Sequence, residues 1–156
     1  MPVDTAWRLL LAAGLGAALG LEREYRQKPA GLRTNILIAV GSALFTILSL
    51  EMTRGIGDTS RVAGQIVTGI GFLGGGAILR HGDTVEGMTT AATIWVNSAI
   101  GVAAGMGQFA LAAFATALTL VVLAVLPPIE IYFERRAGWP DRHRPPPDLT
   151  PPTRPT

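Results

Sequence analysis

Four windows of the chain carry no charged side chain: Leu9–Leu21, Thr34–Leu50, Val62–Leu79 and Met88–Ile129. Short polar runs separate them. About 20 apolar residues cross a bilayer as a helix, and the last window is long enough for two crossings. The stretch "GMGQ" at Gly105–Gln108 supplies a turn that divides it. The pattern predicts helices near Thr5–Glu22, Thr34–Met52, Arg61–Leu79, Thr89–Gly105 and Gln108–Ile131. The expected fold class is all-α, a polytopic membrane helical bundle of about five transmembrane helices. From Gly138 the chain reads "GWPDRHRPPPDLTPPTRPT", with seven prolines and no apolar periodicity. The expected division is a transmembrane domain over 1–137 and a proline-rich, disordered cytoplasmic tail over 138–156.

Composition agrees with this picture. Hydrophobic residues make up 49% of the 156, charged residues only 15%, and the mean hydropathy is +0.39. A soluble domain carries about a quarter charged residues. The absence of cysteine excludes disulfides and thiolate metal ligands, and His81 and His143 form no ligand pair. The net charge of +2 comes without a basic stripe interleaved with aromatics, so nucleic acid is not an expected partner. The basic residues serve as an orientation signal instead. Arg23, Arg26, Lys28, Arg33, Arg80, Arg135, Arg136, Arg142, Arg144 and Arg154 fall on one side of the predicted spans. Arg8, Arg54 and Arg61 fall on the other. By the positive-inside rule the N-terminus lies outside and the C-terminus in the cytoplasm. No charged leader precedes the first span, which is expected to direct insertion itself.

The chain also repeats itself. Gly14, Gly16 and Gly20 match Gly69, Gly71 and Gly75 at an offset of 55, and "GLRT" at Gly31–Thr34 matches "GMTT" at Gly87–Thr90 at 56. Ile38, Val40, Ser42 and Ala43 then match Ile94, Val96, Ser98 and Ala99. A parallel repeat of helices 1–2 and 3–4 is expected, about an axis along the membrane normal.

The stretch "GIGFLGGG" spells G-x-G-x-x-G at Gly69, Gly71 and Gly74. A dinucleotide site needs a strand before it and an acid about 20 residues on. Here the flanks are apolar and "AATIWVN" holds no carboxylate, so the glycines are read as helix-packing residues. Gly16–Gly20, Gly71–Gly75 and Gly101–Gly105 are GxxxG pairs that let backbones approach. With Gly69, Gly74 and Gly76 they predict a third helix packed on both sides, in the middle of the bundle, and self-association through glycine faces.

Charge sits at the helix ends. In "LEREYRQKPAGLRT", Glu22, Arg23 and Glu24 stand where the first apolar run stops. They read as snorkelling side chains or, with Arg33, as a polar network or cation site. Two acids suit Mg²⁺, which keeps several waters, so Glu22 and Glu24 are a candidate site for it; no other cofactor is expected. In "RHGDTVEGMTTAAT", Asp83 and Glu86 read chiefly as surface charges. Thr34 is the expected N-cap of helix 2, and Thr89 or Thr90 that of helix 4. Within the spans the polar residues are Gln65, Thr68, Thr93, Asn97 and Ser98. Gln65 and Asn97 are expected to face the interior, Trp95 to pack, and Arg61 to snorkel at the outer interface.

Three blocks, "GLEREYRQKPAGLRTNILIAVGSALF", "RVAGQIVTGIGFLGGGAIL" and "GMTTAATIWVNSAIGVAAGMG", resemble the MgtC/SapB-type membrane protein family over about Leu15–Phe109. The resemblance implies a bacterial inner-membrane protein linked to growth in low magnesium, and not an enzyme. It implies a regulatory role on other membrane machinery, including the proton-driven ATP synthase. Its motifs fall on Glu22, Arg23, Glu24, Gly31, Arg33 and Thr34; on Arg61, Gln65, Gly69, Gly71, Gly74 and Gly76; and on Gly87, Thr90, Ala91, Ala92 and Trp95. Virulence-type members carry Asn and Cys where this chain has Thr89 and Val96. Many members add an ACT-like soluble domain, where this chain shows the proline-rich tail.

The leading expectation is therefore a non-enzymatic protein of magnesium homeostasis. It would work by binding at Glu22, Arg23, Glu24 and Arg33, with Thr34, Thr89 and Thr90 beside them. The rival is a small-ion transporter lined by Gln65, Thr93 and Asn97. Expected partners are the lipid bilayer, further copies of the chain, and another membrane complex.

Overall fold

Helices occupy all the charge-free windows in the computed structural model, which describes residues 3–53, 58, 60–81 and 84–137. They are α1 (Val3–Tyr25), α2 (Leu32–Thr53), α3 (Ser60–Gly76), α4 (Met88–Gly105) and α5 (Phe109–Ala137). Between α3 and α4 lies an antiparallel pair of short strands, β1 (Leu79–His81) and β2 (Thr84–Glu86), registering Leu79 with Glu86 and His81 with Thr84. The helical pattern did not foresee it. The proline-rich segment 138–156, with His143, and also Arg54 and Asp83, lie outside the described residues.

Two units divide the chain, over 1–121 and 122–156. In the first, α1 packs along α2, α2 along α4 and α3 on α4, while α1 also meets α4. The described part of the second is the end of α5, where Arg136 Nη1 donates to the Tyr132 hydroxyl at 3.0 Å and Phe133 stands edge-on to Tyr132. Two helices, Leu32–Thr53 and Phe109–Phe133, are long and apolar enough to cross a membrane.

Small residues set the helix separations in the first unit. A Cβ on Gly16 of α1 would lie 2.7 Å from the Asn35 carbonyl of α2, and one on Gly20 would lie 2.6 Å from the Leu32 Cα. Across α2 and α4, a Cβ on Gly105 would come 2.6 Å from the Ala43 carbonyl. Real Cβ atoms do not approach backbone so closely, so these helices touch main chain to main chain. The third helix differs from expectation. Gly74 alone meets a neighbour, the Ala91 carbonyl at 3.6 Å, whereas Gly69, Gly71, Gly75 and Gly76 have nothing within 4 Å. Instead of sitting mid-bundle, α3 turns most of its glycines away from the other described helices. Trp95, expected to pack, is 52% exposed.

The caps also depart from the threonine expectation. α2 starts at Leu32, which leaves Thr34 inside its first turn. α4 is capped by Gly87 at φ 89, and the Gly87 carbonyl takes the Ala91 N–H at 2.8 Å. A left-handed backbone at this position favours glycine, so Thr89 and Thr90 stand one and two residues inside the helix. At the opposite end of α4, Arg8 Nη1 donates to the Gly105 carbonyl at 2.9 Å and Nη2 pairs with Asp4 at 2.6 Å. A cation there complements the C-terminal dipole.

At the head of α3, Asp58 accepts the Ser60 N–H at 2.9 Å and also its hydroxyl. These bonds hold the Asp58 carboxyl below its ordinary value. A depressed carboxylate contributes stability that is present above its unfolded value and lost as pH falls through the folded one. Acidification below the usual aspartate range should therefore loosen the Ser60 amide in NMR, and Asp58→Asn should remove that dependence. Gly16→Leu and Gly105→Leu should each destabilise the fold by about 1–3 kcal/mol through overpacking. Gly71→Leu should stay within roughly 0.5 kcal/mol in thermal unfolding of the detergent-solubilised chain.

Candidate functional site

Arg23 lies three residues after Gly20 and seven after Gly16, which puts it on the same face of α1 as those two glycines. That face is pressed against α2 and α4, so Arg23 is carried inward and is only 4% exposed. Its Nη2 donates to Thr90 Oγ1 of α4 at 2.7 Å, while its Nε has no partner among the described residues. Arg23 thus joins the end of α1 to the start of α4. The neighbouring acids face elsewhere. Glu22, mostly buried, pairs through Oε1 with Arg26 Nε at 2.6 Å. Glu24 accepts the Leu32 N–H at 3.1 Å and lies hard against Gly31, where any Cβ would strike its carboxylate. Glu24 therefore serves the N-terminus of α2, the position at which a negative charge meets the helix dipole.

Below Arg23 the polar side chains continue along the contact between α2 and α4. Asn35 is fully buried and its Nδ2 donates to the carbonyls of Ala30 and, at 3.1 Å, Gly31. Ala30 itself sits at φ 56, a left-handed conformation costly for a residue with a Cβ. Asn97, also fully buried, donates through Nδ2 to the Asn35 carbonyl at 2.8 Å and to Asn35 Oδ1 at 3.0 Å. Two turns further along α2, Ser42 shares a hydrogen bond of 2.9 Å with Ser98, the residue after Asn97 on α4. Asn35 and Ser42 are seven residues apart on α2, as are Thr90 and Asn97 on α4, so each pair stays on one helical face. The result is a buried polar seam from Arg23 and Thr90 through Asn35 and Asn97 to Ser42 and Ser98.

The other expected residues do not join the seam. Thr93 is buried but returns its hydroxyl to the Thr89 carbonyl at 2.8 Å. Gln65 is exposed on α3 and lines a groove between α2, α3 and α4, contrary to its expected place in the interior. Arg33, Thr34, Thr89 and Arg61 are exposed. Glu22 and Glu24 do not converge, and among the described residues no three His, Asp or Glu gather at one point. With Arg26 paired to it and Arg23 next in sequence, Glu22 sits among cations. Sequence reasoning missed Asn35 and made no use of Ser42 as a polar contact. The available signals were an Asn at the mouth of an apolar window and the 56-residue offset linking Ser42 to Ser98.

The family model described as the MgtC family matches residues 9–132. An Escherichia coli K12 protein named "Putative magnesium transporter YhiD" is 47% identical over 132 residues, covering 80% of this chain and 61% of that protein. Protein MgtC of Salmonella typhimurium LT2 is 52% identical over 112 residues, covering 72% of this chain and 48% of its own length. A Synechocystis protein, "Uncharacterized protein slr0014", is 45% identical over 133 residues, with 85% and 56% covered. This chain thus spans about half to three fifths of the curated relatives it matches. No solved structure matches.

The seam predicts a graded response to substitution. Asn35→Ala removes the Oδ1 acceptor from Asn97 and the carboxamide bonds to the Ala30 and Gly31 carbonyls, and should cost about 1–3 kcal/mol, read as a lower melting temperature in detergent. Thr90→Ala should cost a comparable amount, since the Arg23 guanidinium then has no bond to α4, whereas Thr90→Ser should restore it.

Proposed function

The chain belongs to the MgtC family, and on that premise we propose that it is a polytopic inner-membrane protein acting, without enzymatic chemistry, in magnesium homeostasis. It works by binding and regulating other membrane machinery through the polar end of α1 and the start of α2, which carry Glu22, Arg23, Glu24 and Arg33. The observation that carries this reading is the inward Arg23. A guanidinium is costly to bury, yet this one is held by Thr90 at a helix end bordered by further charges. The name of the E. coli relative, "Putative magnesium transporter YhiD", supports the magnesium connection.

Membrane insertion is supported by the two long apolar helices and by the large exposed apolar side chains of the others, such as Trp7, Leu10, Phe72 and Trp95. Such side chains face lipid more readily than water. The Lys and Arg distribution favours an outer N-terminus and a cytoplasmic C-terminus. A two-fold repeat of α1–α2 on α3–α4 is supported by Ser42 meeting Ser98, 56 residues on, and by Ile38 and Ile94 sharing one apolar cluster. Equivalent positions meet in this way beside a two-fold axis. Open glycines on α3 suit association with further copies or with another membrane complex.

The rival reading, a small-ion path lined by Gln65, Thr93 and Asn97, is less well supported because the three do not face a common space. Asn97 is occupied by Asn35, Thr93 by its own helix, and Gln65 borders an apolar groove. Magnesium-limited growth of a deletion strain, complemented by plasmid variants, separates the two. Arg23→Gln should abolish complementation, and the wild-type chain should give no Mg²⁺ flux in proteoliposomes. Robust Mg²⁺ uptake, abolished by Asn97→Leu but not by Glu24→Gln, would sink the binding reading. Loss of a co-purifying membrane complex on Gly71→Leu would place the partner on the α3 glycines.

A further inference from the structure

Between α2, α3 and α4 lies a groove of about 650 Å³ with an almost wholly apolar lining. Its walls are two ridges of residues spaced by four. Leu37, Gly41 and Phe45 form the ridge of α2, and Gln65, Gly69 and Leu73 that of α3. Each ridge has a glycine at its centre, and a Cβ on either Gly41 or Gly69 would meet nothing within 4 Å. The groove is thus hollow because two side chains are missing from its middle.

Its length suits a lipid tail. From Thr34 to Phe45 the α2 wall is roughly 16 Å long at 1.5 Å per residue. One leaflet of hydrocarbon is about 15 Å, half of a bilayer core of about 30 Å. Spread over that length, the volume gives a mean cross-section of about 40 Å², wide enough for a hydrocarbon chain. The end of the groove at the start of α2 is polar. Thr34 lines it, and the exposed Arg33 stands four residues before Leu37, on the same helical face. The N-terminal amide of α2 is already taken by Glu24, so Arg33 supplies the positive charge at this end.

We propose that this groove holds one acyl chain of an anionic membrane phospholipid, with the tail between Gly41 and Gly69 and the phosphate against Arg33 and Thr34. The inference rests on the membrane reading above but not on the magnesium reading. Filling the hollow is the test. The full chain is purified in mild detergent from membranes, reconstituted with phosphatidylglycerol and phosphatidylcholine in equal amounts, re-extracted, and weighed by native mass spectrometry. The wild-type chain should retain one phospholipid, with phosphatidylglycerol favoured several-fold. Gly41→Leu and Gly69→Phe, which have room for their side chains, should lose it while keeping the wild-type melting transition. Arg33→Gln should keep a lipid but lose the preference for phosphatidylglycerol. Retention of the same lipid by both filling variants would overturn the proposal. So would filling variants that instead break a dimer of this chain, because the groove would then belong to a second copy. Recovery of the chain in the aqueous fraction without detergent would overturn the membrane reading itself, separately from the groove.

Discussion

Two carboxamides and a guanidinium are buried where the helices are otherwise apolar, and each needs the others' helices to be tolerable there. Asn35 and Asn97 are fully enclosed, and Arg23 nearly so. A polar group taken from water without a partner costs several kcal/mol in hydrocarbon. The groups therefore hold α1, α2 and α4 to a single register: one that brings Arg23 to Thr90 and Asn97 to Asn35. Sliding α4 by one turn would break both bonds at once. Apolar packing alone tolerates such slips, because lipid tails compete on equal terms with a neighbouring helix.

The glycines make that register reachable. Hydrogen bonds of 2.8 and 3.0 Å from one Asn side chain to the backbone and side chain of another require closely spaced helix axes. Gly16 and Gly20 bring α1 onto α2, and Gly101 and Gly105 bring α4 onto α2. Small residues and buried amides are thus two halves of one device, close approach on one side and directional bonding on the other. On α3 the first half is present without the second. All its glycines but Gly74 are open, and its single amide, Gln65, borders the groove.

The helices were legible because absence of charge over a span length is a strong signal, and the ends of α2 and α4 fell within two residues of those expected. The strand pair was not legible from apolar pattern, since its strands are three residues long and β2 is wholly exposed. Its one signal is Gly82–Asp83 between short flanks, a pair common in hairpin turns. Arg23 was named as a site residue, but its direction was not read. A run of Glu, Arg and Glu at a helix end looks like snorkelling, and only its phase with Gly16 and Gly20 turns the middle residue inward. Glu24 and Glu22 resembled a metal pair because spacing ignores what else stands nearby. Once Arg26 and the Leu32 amide are placed, each carboxylate has another role.

The seam also orders events during synthesis. Arg23 and Thr90 are 67 residues apart, and Asn35 and Asn97 are 62 apart. A ribosome adding about 5–20 residues per second takes roughly 3–13 s to cover the first of those separations. Over its last part, from Thr53 to Thr90, α1 and α2 are complete while the guanidinium and the Asn35 carboxamide have no α4 to meet. The nascent hairpin of two helices is then more polar inside than the finished protein, and the arrival of α4 makes it acceptable to lipid. A chain halted before Asn97 keeps those groups exposed. Its unfinished state therefore differs from the finished one in a definite way: polar groups that α4 would enclose stand without it.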